Sequence, residues 1–182
     1  MSAGSISLLG PGRERVSSVE EAVDIERLFR EHAAYLARIG LRLLGRHDEV
    51  DDLIQDVFLD ALRGVRRLRE PGAARGWLAV LTVRKASAQL RRRRLWLRLG
   101  LGRAEDYEEV ADHRASPRER AILASLYRAL DRLPVDERVA WSLRHLEGER
   151  LEAIAELCYC SISTVKRRID SAARQMRGMV QP

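Results

Sequence analysis

The sequence has little of what most other architectures depend on. Only two of its 182 residues are cysteine, Cys158 and Cys160, and their one-residue separation is too tight for an unstrained structural bridge. A disulfide-stapled secreted domain is excluded, and a reducing compartment fits. Aromatics make up 5% of the chain, and no run alternates Val, Ile, Thr or Tyr with polar residues, which argues against a β-sandwich or barrel. No stretch approaches the ~20 apolar residues of a membrane span. The amino terminus lacks the basic-then-apolar order of a secretory signal, so a soluble, cytoplasmic protein without membrane insertion is expected. Lysine is nearly missing: Lys85 and Lys166 are the only two, so the 33 basic residues set against 27 acids are almost all arginine. His32, His47, His113 and His145 stand apart with no paired nucleophile, and Cys158, Cys160 and His145 fall short of a four-ligand zinc set. There is no Gly-rich phosphate loop either. Neither an enzyme nor a metal or cofactor site is expected.

What is present points to a small helical protein that binds a polyanion. Hydrophobic residues reach 46%, enough for a core, and charged residues 33% against a usual ~25%. The length allows one or two domains. From Arg63 to Arg98 twelve basic residues (Arg63, Arg66, Arg67, Arg69, Arg75, Arg84, Lys85, Arg91, Arg92, Arg93, Arg94, Arg98) face the single acid Glu70. A nearly unmixed run of one sign fits nucleic acid better than a solvated helix end.

The pattern along the chain predicts an all-α fold, two small helical bundles joined by a flexible linker, the second bundle containing a helix-turn-helix. Residues 1–17 carry Gly and Ser without helical period and read as a disordered leader. The first bundle, 18–94, opens on a capping box at Ser18 and Glu21, followed by Ile25, Leu28, Phe29, Leu36, Ile39 and Leu43 at helical steps until Gly45. The next helix has Val50, Leu53, Ile54, Val57, Phe58, Ala61 and Leu62 in its inward stripe and stops at Gly64. A third runs from about Ala73 to Arg94. Residues 95–115, with two glycines in LWLRLGLGR and an acidic block from Glu105 to Asp112, read as the linker. In the second bundle, 116–182, Ser116, Pro117 and Glu119 form a capping box with proline at the first helical position. Pro134 and Gly148 delimit a second helix there, and two last helices, Leu151–Cys158 and Ile162 to about Arg177, are three residues apart.

Two surfaces stand out. The helix after Asp48 turns Asp52, Gln55, Asp56 and Leu59 outward, and a leucine exposed among carboxylates suits a protein interface with a basic partner. In the last helix Ile162, Val165, Ile169, Ala172, Ala173 and Met176 fall on the inward arc. The opposite arc presents Ser163, Thr164, Arg167, Ser171 and Arg174, flanked by Lys166 and Arg168. Such a helix reads base edges in a major groove with its first turns, and Arg167 is the leading base-reading candidate. The turn position often held by glycine is Tyr159, so either the turn is strained or its geometry differs.

These residues carry a resemblance. Val50-Asp51-Asp52-Leu53-Ile54-Gln55-Asp56-Val57-Phe58 resembles the core-polymerase-binding segment of the extracytoplasmic-function (group IV) sigma factors. Trp77-Leu78 and the Arg91–Arg94 run resemble that family's minus-10 region. Leu133-Pro134 through Leu146-Glu147-Gly148 resembles the start of its second conserved domain, and Thr164-Val165-Lys166 with Ala172-Ala173-Arg174 its minus-35 reader. The match covers nearly all of residues 20–178, in the family's order. It implies that Asp52, Gln55, Asp56 and Leu59 dock on core RNA polymerase. It further implies that Trp77, Arg84, Lys85, Arg91, Arg92, Arg93 and Arg94 hold and open the minus-10 element of promoter DNA, and that Ser163, Thr164, Lys166, Arg167, Arg168, Ser171 and Arg174 read the minus-35 element. An anti-sigma factor is an implied partner, and the free chain is expected to be a monomer. The family often has Asn and Asp where Arg84 and Ala88 stand here, so the minus-10 base preference stays open. The other reading, a stand-alone helix-turn-helix transcriptional regulator, requires a dimer interface and a two-fold operator, and no heptad seam is visible.

Overall fold

The computed structural model describes residues 25–64, 71–101, 107 and 116–179. The leader, the capping box at Ser18 and the acidic block between Glu105 and Asp112 lie outside the described residues. Among those described there are seven α-helices and one short 3-10 turn: α1 (Ile25–Leu44), α2 (His47–Gly64), the turn Pro71–Ala73, α3 (Ala74–Arg98), α4 (Pro117–Arg132), α5 (Val135–His145), α6 (Leu151–Leu157) and α7 (Ile162–Met179). The all-α expectation holds, with α1 to α3 as the first bundle and α4 to α7 as the second.

Each bundle follows from its periodicity. In α1, Leu28, Leu36, Ile39 and Leu43 are buried, and α2 answers with Val50, Leu53, Val57 and Ala61; each leucine, isoleucine or valine contributes ~1.5–3 kcal/mol on burial. Gly40 lets the two helices close up, since a Cβ there would lie 2.8 Å from Leu53 Cδ2. Phe29 and Phe58 meet edge to face at 4.8 Å. Leu62 departs from its predicted stripe and is 44% exposed. It follows the fully buried Ala61 by one residue and so sits about 100° round the helix from it.

Helix α3 is central, burying Leu78, Leu81, Thr82, Val83, Ala86 and Leu90. Its buried hydroxyls bond back into their own helix, Thr82 to the Leu78 carbonyl (2.9 Å) and Ser87 to that of Val83 (2.7 Å), which leaves no orphan donor. The helix runs one turn past the expected end at Arg94. Its end is closed by Gly100 at φ +70°, with Gly100 N–H donating to Leu97 O and Leu101 N–H to Trp96 O.

In the second bundle Ser116 caps α4 and exchanges both bonds of the capping box with Glu119. Helices α6 and α7 enclose a tight turn, Cys158–Ser161, in which Tyr159 takes the left-handed conformation (φ +49°). The glycine-type geometry is kept by a tyrosine, at a strain cost of order 1–3 kcal/mol. Val165, Ala172 and Met176 of α7 are buried as expected, whereas Ile162 at its first turn is 39% exposed.

The two bundles pack on one another. Leu43, Val83, Leu90, Val139, Leu143 and Leu157 belong to one continuous apolar cluster. Gly45, φ +77°, ends α1 where a Cβ would lie 2.4 Å from the Tyr127 ring of α4; only glycine fits that position. Tyr127 donates to the Leu41 carbonyl at 3.2 Å, and the buried Arg138 of α5 donates to the Leu43 and Leu44 carbonyls. The last carbonyls of α1, which have no donors inside their own helix, are therefore capped by the second bundle.

Candidate functional site

The acidic surface is on α2. Asp52, Gln55 and Asp56 are exposed, and Leu59 is 49% exposed one turn on. The i, i+3, i+4, i+7 spacing brings all four to one face, and among the described residues neither aspartate has a basic partner. Asp60 differs: Lys85 Nζ reaches it at 2.9 Å and Arg84 at 3.5 Å. The Lys85 hydrogen bond holds its carboxyl below the ordinary aspartate value. Leu62, placed inward by sequence, extends this face.

The seven residues assigned to the minus-10 element divide into two groups. Arg84, Arg91 and Arg92 point to solvent. Trp77 is half-buried behind the end of α2, where its ring faces Gly64, and Lys85 turns to Asp60. Arg93 is 11% exposed, bonding to Glu49 at 2.5 Å and lying 3.8 Å from Asp131. Its guanidinium also donates to the Tyr107 hydroxyl at 2.9 Å, and that hydroxyl donates to Asp131 at 2.7 Å. Arg94 donates to the Leu133 carbonyl at 2.8 Å. Arg93 and Arg94 thus hold the bundles together in this arrangement, and the exposed track is Arg84, Arg91 and Arg92. Tyr107, which sequence reasoning left as an unremarked linker residue, is fully buried and stacked on Tyr127 at 5.4 Å. Burial pushes its phenol well above the ordinary tyrosine value.

Helix α7 divides in the same way. Ser163, Lys166, Arg167 and Arg174 are exposed, and Thr164 is partly so. Ser161 Oγ accepts the Thr164 N–H at 3.2 Å and so caps the helix. Arg168 and Ser171 instead face α5: Arg168 donates to Asp136 at 2.8 Å, and Ser171 to Glu137 at 3.1 Å. Asp136 also takes Arg91 at 3.4 Å, so one carboxylate joins α3 and α7 across the cleft between the bundles. Both faces are cationic and neither carries a nucleophile and base in contact. Cys158 and Cys160 are partly buried, and Tyr159 between them is 85% exposed. Burial pushes the Cys158 thiol up to about 12. Among the described residues no cluster of three or more His, Cys, Asp or Glu could hold a metal ion, and no helix is long and apolar enough to cross a membrane.

Comparison with known proteins matches a separate family model to each bundle. Residues 28–95 match the Sigma-70 region 2 family, and residues 123–176 match Sigma-70 region 4. The ECF RNA polymerase sigma factor SigM of Mycobacterium tuberculosis is 32% identical over 151 residues, covering 83% of this chain and 74% of that protein. SigE of Mycolicibacterium smegmatis, an ECF RNA polymerase sigma factor, is 31% identical over 156 residues, 84% of this chain, and this chain spans 60% of its length. In fold, the chain is similar to the sigma factor RpoE solved with the anti-sigma factor NepR from Bartonella quintana, with TM-score 0.64, 23% identity and coverage of 86% and 96% of the two chains. Two sigma regions in order favour a sigma factor over a stand-alone helix-turn-helix regulator. With both regions matched and relatives above 30% identity, the chain belongs to the extracytoplasmic-function sigma factors of RNA polymerase.

Proposed function

We propose that this chain is a non-enzymatic, cytoplasmic specificity subunit that binds core RNA polymerase and directs it to promoters. In this reading the α2 face of Asp52, Gln55, Asp56 and Leu59 docks on the polymerase. Arg84, Arg91 and Arg92 on α3 hold the minus-10 element as it opens, since single-stranded DNA needs a cationic track and a stacking surface. On α7, Arg167 reads a base edge of the minus-35 element while Ser163, Thr164, Lys166 and Arg174 fix the helix on the phosphates and neighbouring edges. Arg93, Arg94, Arg168 and Ser171 join these surfaces once the bundles separate. Captured unpaired bases and polymerase contacts drive melting, with no hydrolysis.

The observation that carries the reading is the division of labour between faces. An acidic and apolar face on α2 is free of basic partners among the described residues, and two cationic faces stand on other helices. A protein partner and two DNA segments are thereby matched by charge. The solved relative held by an anti-sigma factor supports a protein inhibitor for this chain too, and the chain acts as a monomer when free. Run-off transcription on genomic DNA fragments, with purified core polymerase with and without this protein, tests the reading. New start sites that depend on the protein are expected, and an unchanged start-site map refutes it.

A further inference from the structure

The extra turn of α3 changes what its outer face can hold. Arg84, Arg91, Arg92, Leu95, Trp96 and Leu99 recur at helical spacing on one side, so a solvent-facing strip ~22 Å long begins with cations and ends in apolar side chains. Leu95 is 56%, Trp96 50% and Leu99 61% exposed. These residues stand on an ordered helix end: the Leu101 N–H bonds to the Trp96 carbonyl at 3.0 Å and the Gly100 N–H to that of Leu97 at 3.1 Å, which fixes the backbone beneath the indole.

We propose that Trp96, flanked by Leu95 and Leu99, is a stacking platform for an unpaired base of the DNA strand whose phosphates lie along Arg84, Arg91 and Arg92. This rests on the reading of α3 as a DNA-binding helix. An exposed indole and two leucines lose hydration cost only against an apolar surface. Paired DNA keeps its base faces inside the stack and offers phosphates and sugars outside. An unpaired base offers a flat π-face, and every base has one. The guanidiniums one turn before Trp96 favour a strand over an apolar protein partner, because such a partner would have to desolvate Arg92, and Arg91 beside its exposed Asp136 contact, without adding a counter-charge. A strand supplies both matches, phosphate to arginine and base to indole.

The test measures binding of the full-length chain to a mixed-sequence 12-nucleotide single strand and to the corresponding duplex by fluorescence anisotropy at low salt. Wild type, Trp96→Ala, Trp96→Phe and the double variant Arg91→Ala/Arg92→Ala are compared. Trp96→Ala is expected to weaken single-strand binding roughly tenfold or more while changing duplex binding less than about twofold, and Trp96→Phe to keep most of the affinity. The arginine variant should weaken both probes. If Trp96→Ala binds the single strand like wild type while the arginine variant does not, the platform is refuted and the DNA reading of α3 stands. If neither variant changes either probe, the DNA reading of α3 fails and the platform with it. Equal losses on both probes in Trp96→Ala, or lost co-purification with core polymerase at unchanged DNA affinity, also overturn the proposal, the second by assigning the patch to a protein.

Discussion

Replacing Arg138 with alanine should open the junction between the bundles without unfolding either one. The side chain is 2% exposed. Its Nε donates to the Leu43 carbonyl at 3.1 Å, one terminal nitrogen donates to Leu43 (2.9 Å) and Leu44 (3.1 Å), and the other is paired with Asp131. Truncation strands two carbonyls at the end of α1, each costing ~1–3 kcal/mol if left buried and unpaired. It also breaks an ion pair whose loss in a buried setting costs ~3–5 kcal/mol. Asp131 is 23% exposed and keeps Tyr107 as a donor, so the ion-pair share, which is internal to the second bundle, falls below that range. The two leucine carbonyls sit in the other bundle while Asp131 sits in the same one as Arg138, so docking loses the carbonyl share, ~2–6 kcal/mol: at ~1.4 kcal/mol per factor of ten, the closed-to-open ratio drops more than about thirtyfold. A compact chain of this length has a radius of gyration of about 16 Å, and small-angle scattering should show the variant expanded beyond wild type at unchanged helical circular dichroism. Arg138→Lys should fail to rescue, because a single ammonium cannot span two carbonyls and a carboxylate as the planar fork does. An unchanged radius together with an unchanged melting temperature would refute the assignment of Arg138 as the fastening between bundles.

Other expectations follow from the same geometry. Asp52→Arg combined with Asp56→Arg reverses the charge of the α2 face and should abolish co-purification with core polymerase while leaving circular dichroism intact; retained binding counts against that face. Arg167→Ala should cost ~1–3 kcal/mol at minus-35 sites, selectively for one base position, and equal losses on every promoter variant in transcription assays would reject a base contact. The Cys158 thiol, pushed up to about 12 from an ordinary 9.0 by burial, stays protonated in the folded chain after the unfolded chain has ionised. Its stabilisation is present below the unfolded value and is lost as pH rises from there through the folded value. Chemical denaturation across that alkaline window should therefore show falling stability that Cys158→Ala partly flattens.

Much of this arrangement was legible in the sequence because it is locally encoded. The Ser116 box, the stop at Gly45 and the inward stripes of α2 and α7 each follow from residues within a few positions of one another. The Tyr159 turn was legible only in part: a tyrosine where glycine is usual left strain or another geometry open, and the structure keeps the left-handed conformation. Three features were hidden for a common reason. Arg138, Tyr107 and the last turn of α3 are placed by partners distant in sequence or by none, and no local pattern marks a buried arginine or an outward leucine as helical. Leu95, Trp96 and Leu97 resemble linker chain precisely where an amphipathic stripe is sought, because their apolar side chains face water.

The Arg91–Arg94 run cannot act as one surface while the bundles are closed. Successive residues of a helix turn by about 100°, so Arg91 to Arg94 sweep most of the circumference and cannot share one face. Two of the four had to turn toward the protein. They find Glu49 and Asp131, and the Leu133 carbonyl. The same arithmetic applies to Lys166, Arg167 and Arg168, of which the last pairs with Asp136. A count of basic residues therefore overstates the charge offered to DNA, and the difference is used to join the bundles. Arg91 and Arg168 share Asp136, so a phosphate that engages either must compete with a carboxylate already in place. Exposed pairs of this kind are worth only ~0–1 kcal/mol. A phosphate can displace Asp136 at little cost, whereas the buried contacts of Arg138 and Arg93 set how firmly the bundles stay closed.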